Sequence, residues 1–130
     1  MRVSFTELPG GGGILRPVVG VRVAGLRVPQ TCLVDAGTAM NRFPRWLATA
    51  AGIPVGDADV RQLGVGGAIV EAVRADVDLE LGDHRWRATS TFCDPWPFDF
   101  SLLGLDGFFD HFRVEFRAAR STLEIEPERE

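Results

Sequence analysis

A chain of 130 residues, 45% apolar and 25% charged, has room for one hydrophobic core and carries no compositional mark of disorder, fibrous repeat or second domain. Its formal net charge of -4, with arginines scattered among aspartates and glutamates, offers no basic stripe that could follow a phosphate backbone, so nucleic acid is not an expected partner. No apolar run reaches the roughly 18 residues of a membrane helix, and Met1 to Glu7 lack the apolar stretch of a signal peptide, so a cytoplasmic chain with no membrane partner is expected.

Residues 1–15 read as a flexible lead-in. The glycine run Gly10 to Gly13 within it lacks the Lys-Ser/Thr of a phosphate-binding loop and precedes a strand rather than a helix. From Arg16 to Val34 strand-forming residues flank Ala24-Gly25, which predicts a β-hairpin with arms Pro17 to Val23 and Leu26 to Val34. The apolar run Cys32-Leu33-Val34 suggests a strand buried on both faces, and it delivers Asp35 at its tip.

Phe43 to Gly52 predicts a short helix, with Pro44 in its first turn, Gly52 at its end, and Phe43, Trp46, Leu47 and Ala50 on one face. Gln62 to Val70 is a glycine-studded hairpin tip, and strands over Val73 to Leu81 and Trp86 to Cys93 follow, separated by Gly82-Asp83-His84. Asp94 to Phe100 forms a proline-broken aromatic loop. Ser101-Leu102-Leu103-Gly104 reads as a buried strand end that turns into a short helix capped by Asp106. Alternation over Phe112 to Phe116 and Ser121 to Ile125 predicts two closing strands, and residues 127–130 a solvated tail.

Little in the chain suggests a cofactor or a metal. His84 and His111 lack paired ligand spacing, and Asp106 with Asp110 reads as a cap and a solvated acid. Cys32 and Cys93 sit in apolar or Thr-rich stretches, which predicts buried free thiols and leaves no cysteine nucleophile.

On its own Asp35 reads as a turn aspartate at a strand end. Its company points elsewhere. The loop Leu33-Val34-Asp35-Ala36-Gly37-Thr38-Ala39, the glycine-rich Leu63-Gly64-Val65-Gly66-Gly67-Ala68-Ile69, the element Leu102-Leu103-Gly104 and the helix expected after it occur in an order that resembles the retropepsin family of aspartic proteases, from about Val18 to Ile125. That resemblance implies an all-β, retropepsin-like half-barrel over residues 16–126 with one or two short helices.

The resemblance also implies a function: an aspartic endopeptidase in which Asp35 from each subunit of a homodimer activates a water for hydrolysis of a peptide bond. Two carboxylates in contact cannot both ionise easily, so one serves as base and the other as acid. The sequence holds a single Asp-x-Gly loop, hence the need for a second copy. Ala36, Gly37 and Thr38 complete the active-site loop. Val65, Gly66, Gly67 and Ala68 would form a flap over a peptide or protein substrate, and Trp96 and Phe98 would wall its pocket. The chain departs from the family at Ala36, where Thr or Ser is usual. The hydroxyl that joins the two loops across the axis is absent, which motivates an alternative: a catalytically impaired module that binds peptides or mediates assembly.

Overall fold

The computed structural model describes residues 1–55 and 59–129. Strands β1 (Arg2–Ser4) and β2 (Thr6–Glu7) come first, and β3 (Leu15–Arg16) returns beside β2. The glycine run between them is a tied turn, with the Gly11 N–H donating to Leu8 O at 2.9 Å and the Gly13 N–H to the Glu7 carboxylate at 2.6 Å. The segment expected as a flexible lead-in thus carries strand pairings and turn bonds of its own. Residues 2–4 find an open strand edge at the C-terminal end of the chain, and pairing there satisfies their backbone.

β4 (Val18–Val23) and β5 (Gln30–Val34) make the predicted hairpin. β5 begins at Gln30 instead of Leu26, because Pro29 has no N–H to give a ladder and Val28 is turned out to solvent. Cys32 and Val34 are buried while Leu33 is only half-buried, so the strand has one core face and one face toward a cleft, not two core faces.

β6 (Arg42–Pro44) and α1 (Arg45–Ala50) divide the segment expected to be one helix. Pro44 keeps an extended ψ of 144°, so Phe43 stays in a strand and the helix starts one residue later. α1 buries Leu47 and Ala48, whereas Trp46 is 61% exposed and Ala50 is also exposed, contrary to the expected apolar face. Gly52 does end the helix. Its φ of +68° lets its N–H reach Thr49 O and the Ile53 N–H reach Ala48 O, a paired C-terminal cap.

β7 (Arg61–Val65) and β8 (Ala68–Leu81) join through Gly66 and Gly67, whose φ values of +56° and +79° form the two-residue turn that matches strand twist. β9 (His84–Asp94) runs antiparallel along β8 for eleven register pairs, from Leu81↔His84 to Glu71↔Asp94. β10 (Ser101–Leu103), β11 (Phe112–Arg117), a 3-10 turn at Ala118–Arg120 and β12 (Thr122–Pro127) complete the chain.

Seven strands form one sheet in the order β4-β5-β10-β6-β9-β8-β7, and a further β4–β8 pairing curls it toward a barrel. β1, β12 and β11 make a second, three-stranded sheet. The last strand continues to Pro127, and the Glu128 N–H donates to His111 O at 2.8 Å, so the expected tail is anchored at its start; Glu130 lies outside the described residues.

The main core joins both sheets through Val21, Val23, Phe43, Leu47, Leu79, Phe92, Leu103, Phe108, Phe112 and Leu123. A smaller cluster of Val65, Val70, Ala72, Cys93 and Leu102 packs with Leu33, Phe98 and Phe100. β8 serves both. Val70 and Ala72 point to the small cluster, and from Val73 the buried positions change parity to Val77, Leu79 and Leu81 in the main core. The same strand therefore supports the glycine turn at one end and the core at the other.

No helix follows Gly104. Residues 105–111 make a series of turns in which the Phe109 N–H reaches Gly104 O and the Asp110 N–H reaches Leu105 O. Gly107 has a φ of +111°, outside the helical range, and its N–H is capped by the Asp110 carboxylate at 2.8 Å. Asp106 instead lies in an isolated bridge beside Met40, so the expected Asp106 cap is corrected to Asp110.

Candidate active site

Asp35 is placed by two strands. β5 ends beside β10 in a parallel pairing, Leu33↔Leu102 and Val34↔Leu103, and the Asp35 N–H donates to Leu103 O at 2.9 Å. The chain then turns, with the Thr38 N–H donating to Asp35 O at 3.2 Å. The Gly37 N–H donates to the Asp35 Oδ1 at 2.8 Å, which fixes one carboxylate oxygen and leaves the other free of any partner among the described residues. A methyl group at Gly37 would lie 3.0 Å from that oxygen, so the glycine lets the carboxylate fold back on the loop.

Behind the loop, the Leu-Leu-Gly element passes very close. A Cβ at Gly104 would sit 2.6 Å from Met40 O and 2.7 Å from Thr38 O. The Gly104 N–H donates to the Asn41 side chain at 3.1 Å, and the Leu105 N–H to Thr38 O at 3.0 Å. The acid loop is thus tied along its length to the strand end that follows β10.

In front of Asp35 opens a cleft of about 450 Å³, lined by Asp35, Gly37, Thr38, Ala39 and Arg42 from the loop and β6, by Leu33 and Leu102, by Gly64, Val65 and Gly66, and by Phe98 and Phe100. The glycine turn and the aromatic loop meet there: a methyl at Gly66 would overlap the Phe98 ring. Phe98 stacks on Phe100 at 4.8 Å and meets Trp96 edge-on at 5.7 Å, while the Trp96 indole N–H donates to Phe100 O at 2.9 Å.

Of the residues singled out from sequence, Asp35, Gly37, Thr38, Val65, Gly66 and Phe98 line this cleft. Ala36 is exposed beside it. Gly67 and Ala68 belong to the hairpin tip without lining the cavity, and Trp96 lies on the far side of Phe98, in a smaller concavity of about 370 Å³ with Val28, Pro44 and Trp46. Thr38 is buried and its hydroxyl is occupied within its own chain, accepting from Arg42 Nε at 3.1 Å, with Met40 O at 3.5 Å.

Sequence reasoning missed Arg42; Leu33, Ala39, Gly64 and Leu102 stood within the motifs read from sequence without being assigned to the cleft lining. Alternation in β6 turns Phe43 inward and Arg42 toward the cleft, but so short a strand after a loop gives too few positions to read.

Cys32 and Cys93 are both free and buried. Burial pushes the Cys32 thiol up to about 12; burial also raises that of Cys93, against smaller opposing effects of Thr91 and Arg42. Neither is poised as a nucleophile. Among the described residues no three His, Cys, Asp or Glu side chains gather in a metal-sized group, and no helix is long and apolar enough to cross a membrane. A larger concavity of about 710 Å³ beside β2 and β4 has Glu7 as its one ionisable lining group, already engaged by Gly13.

No protein-family model and no curated protein matches the chain. Solved structures do match. A retropepsin-like aspartic protease from Rickettsia conorii superposes with a TM-score of 0.68 at 14% identity, over 97% of this chain and 98% of that one. The retroviral protease-like domain of Ddi1 from Leishmania major gives a TM-score of 0.66 at 16% identity, over 85% and 88%. The EIAV protease, in complex with the inhibitor HBY-793, gives 0.51 at 18% identity, over 69% and 82%. At such identities the likeness speaks for architecture, and the architecture is that of the retropepsin-like aspartic proteases.

Proposed function

We propose that this chain is an aspartic endopeptidase that acts as a homodimer, with Asp35 and Asp35 of the partner subunit sharing one proton across a two-fold axis. The observation that carries the reading is Asp35 itself, at the floor of a cleft spanned by a glycine-tipped hairpin and an aromatic loop, within a retropepsin-like fold. The ionised carboxylate takes a proton from a water that attacks the peptide carbonyl. The protonated one stabilises the developing oxyanion and then protonates the leaving nitrogen. Val65, Gly66, Gly67 and Ala68 act as the flap that excludes bulk water, and an extended peptide binds beneath it with Phe98 as a wall.

Incubating the protein with a diverse peptide mixture from acid to neutral pH, beside Asp35→Asn, tests the proposal. Cleavage by the wild type that falls by about 10²–10⁴ in the variant is expected. Equal cleavage by both proteins, or none by either as a verified dimer, overturns it.

A second reading, a module that binds peptides or mediates assembly without catalysis, draws support from Ala36. Position 36 has no hydroxyl, and the nearby Thr38 hydroxyl is already engaged by Arg42. If Ala36→Thr leaves an existing cleavage rate unchanged, this second reading is abandoned.

A further inference from the structure

Arg42 has no anionic partner among the described residues. It is half-buried in a cleft whose other side chains are mainly apolar: Leu33, Val65, Phe98, Phe100 and Leu102. Its Nε donates to Thr38 Oγ1 at 3.1 Å and its Nη1 to Thr91 Oγ1 at 3.2 Å, two neutral acceptors that fix the plane of the guanidinium. Nη2 has no hydrogen-bond partner among the described residues, and no described carboxylate lies within ion-pair distance of the group.

On the open surface Arg2 pairs with Glu124 and Arg87 with Asp78, whereas Arg42 is recessed in the cleft with two neutral threonine hydroxyls as its hydrogen-bond partners among the described residues. A cation that is partly desolvated and already oriented costs little further entropy when it binds an anion, and a guanidinium is shaped to receive a carboxylate.

We infer that Arg42 selects a carboxylate on the bound peptide, either a Glu or Asp side chain or the peptide's own C-terminus. The inference rests on the cleft being a peptide site, as proposed above, but it needs no cleavage. Asp35 lines the same cavity, so the selected carboxylate lies close to the bond proposed to be cut. Like charges keep that carboxylate away from Asp35 itself and give the peptide a direction in the cleft.

The test uses the full chain and reduced-amide peptides, which bind without being hydrolysed. In a matched series, one position at a time carries Glu or Gln, and each peptide is made with a free or an amidated C-terminus; affinities are read by calorimetry. At one position Glu is expected to bind about ten- to a hundredfold more tightly than Gln, or the free C-terminus more tightly than the amide, and this identifies the source of the carboxylate. The preference should disappear in Arg42→Gln, persist in Arg42→Lys, and shrink with added salt.

A wild type with no carboxylate preference at any position or terminus overturns the inference, as does a preference that survives Arg42→Gln or a failure of every peptide to bind. If Arg42→Gln does not fold, the wild-type Glu/Gln comparison and its salt dependence still decide. A purely structural arginine would lower stability without moving the Glu/Gln ratio. Hydrolysis of natural peptides without an acidic preference removes this inference and leaves the endopeptidase reading intact; acidic preference without hydrolysis does the reverse.

Discussion

Gly104 is the residue at which the acid loop is most exposed to a small change. A Cβ there would come within 2.6 and 2.7 Å of the Met40 and Thr38 carbonyl oxygens, which are backbone atoms that cannot swing aside. Gly104→Ala should therefore destabilise the protein by about 1–3 kcal/mol or more, read by urea unfolding, and should displace the loop that carries Asp35. A variant as stable as the wild type would mean that the two segments are less tightly apposed. Cys32 supports a second prediction. Its thiol ionises near 9.0 when unfolded but only at about 12 in the native core, so its contribution to stability is complete below pH 9 and declines as the pH rises from there toward 12. Stability measured from pH 8 to pH 11 should fall, less steeply in Cys32→Ala, and iodoacetamide at pH 8 should leave the native thiol unmodified. Asp35, Gly37 and Gly104 were legible in the sequence because their motifs are local. Arg42 was not, since its setting comes from Thr38, four residues away, and Thr91, 49 residues away across β9.

At the scale of elements, the glycine hairpin and the aromatic loop act as one unit. Phe98 covers Gly66 and is itself held by Phe100, Trp96 and the Trp96–Phe100 hydrogen bond. Phe98→Ala removes about half of a full aromatic burial, on the order of 1 kcal/mol of local stability. Amide hydrogen exchange at Val65 to Ala68 should accelerate roughly fivefold, with little change along the β8–β9 ladder, whose eleven register pairs are far longer than the tip. Uniform acceleration over the whole chain would instead assign Phe98 to global stability. Sequence pattern found this hairpin because Gly66-Gly67 is a strong short-range turn signal. It failed at the segment after Gly104, where Asp106 read as the cap of a short helix but Gly107 and its cap by Asp110 impose a turn. Nor did it show the pairing of Arg2–Ser4, whose partner β12 lies more than a hundred residues later.

The whole molecule presents a face around Asp35 that includes the exposed Ala36 and the 51%-exposed Leu105, which is bonded to the same loop through Thr38 O. In the proposed dimer that face meets its own copy, and the contact is isologous, so any change at position 36 acts twice. Ala36→Thr would restore a hydroxyl to each loop. With about 0.5–1.5 kcal/mol for each new hydrogen bond, the pair contributes about 1–3 kcal/mol to association. The dimer dissociation constant should then fall by roughly five- to 150-fold, measured by sedimentation over a range of concentrations. Ala36→Val, close to Thr in shape but without the hydroxyl, is the control: if it tightens the dimer equally, the gain comes from packing. An unchanged dissociation constant in Ala36→Thr would place position 36 away from the axis and remove the structural basis for pairing the two Asp35 carboxylates. A tighter dimer accompanied by faster peptide cleavage would tie assembly to catalysis, as the proposed use of one acid from each chain demands.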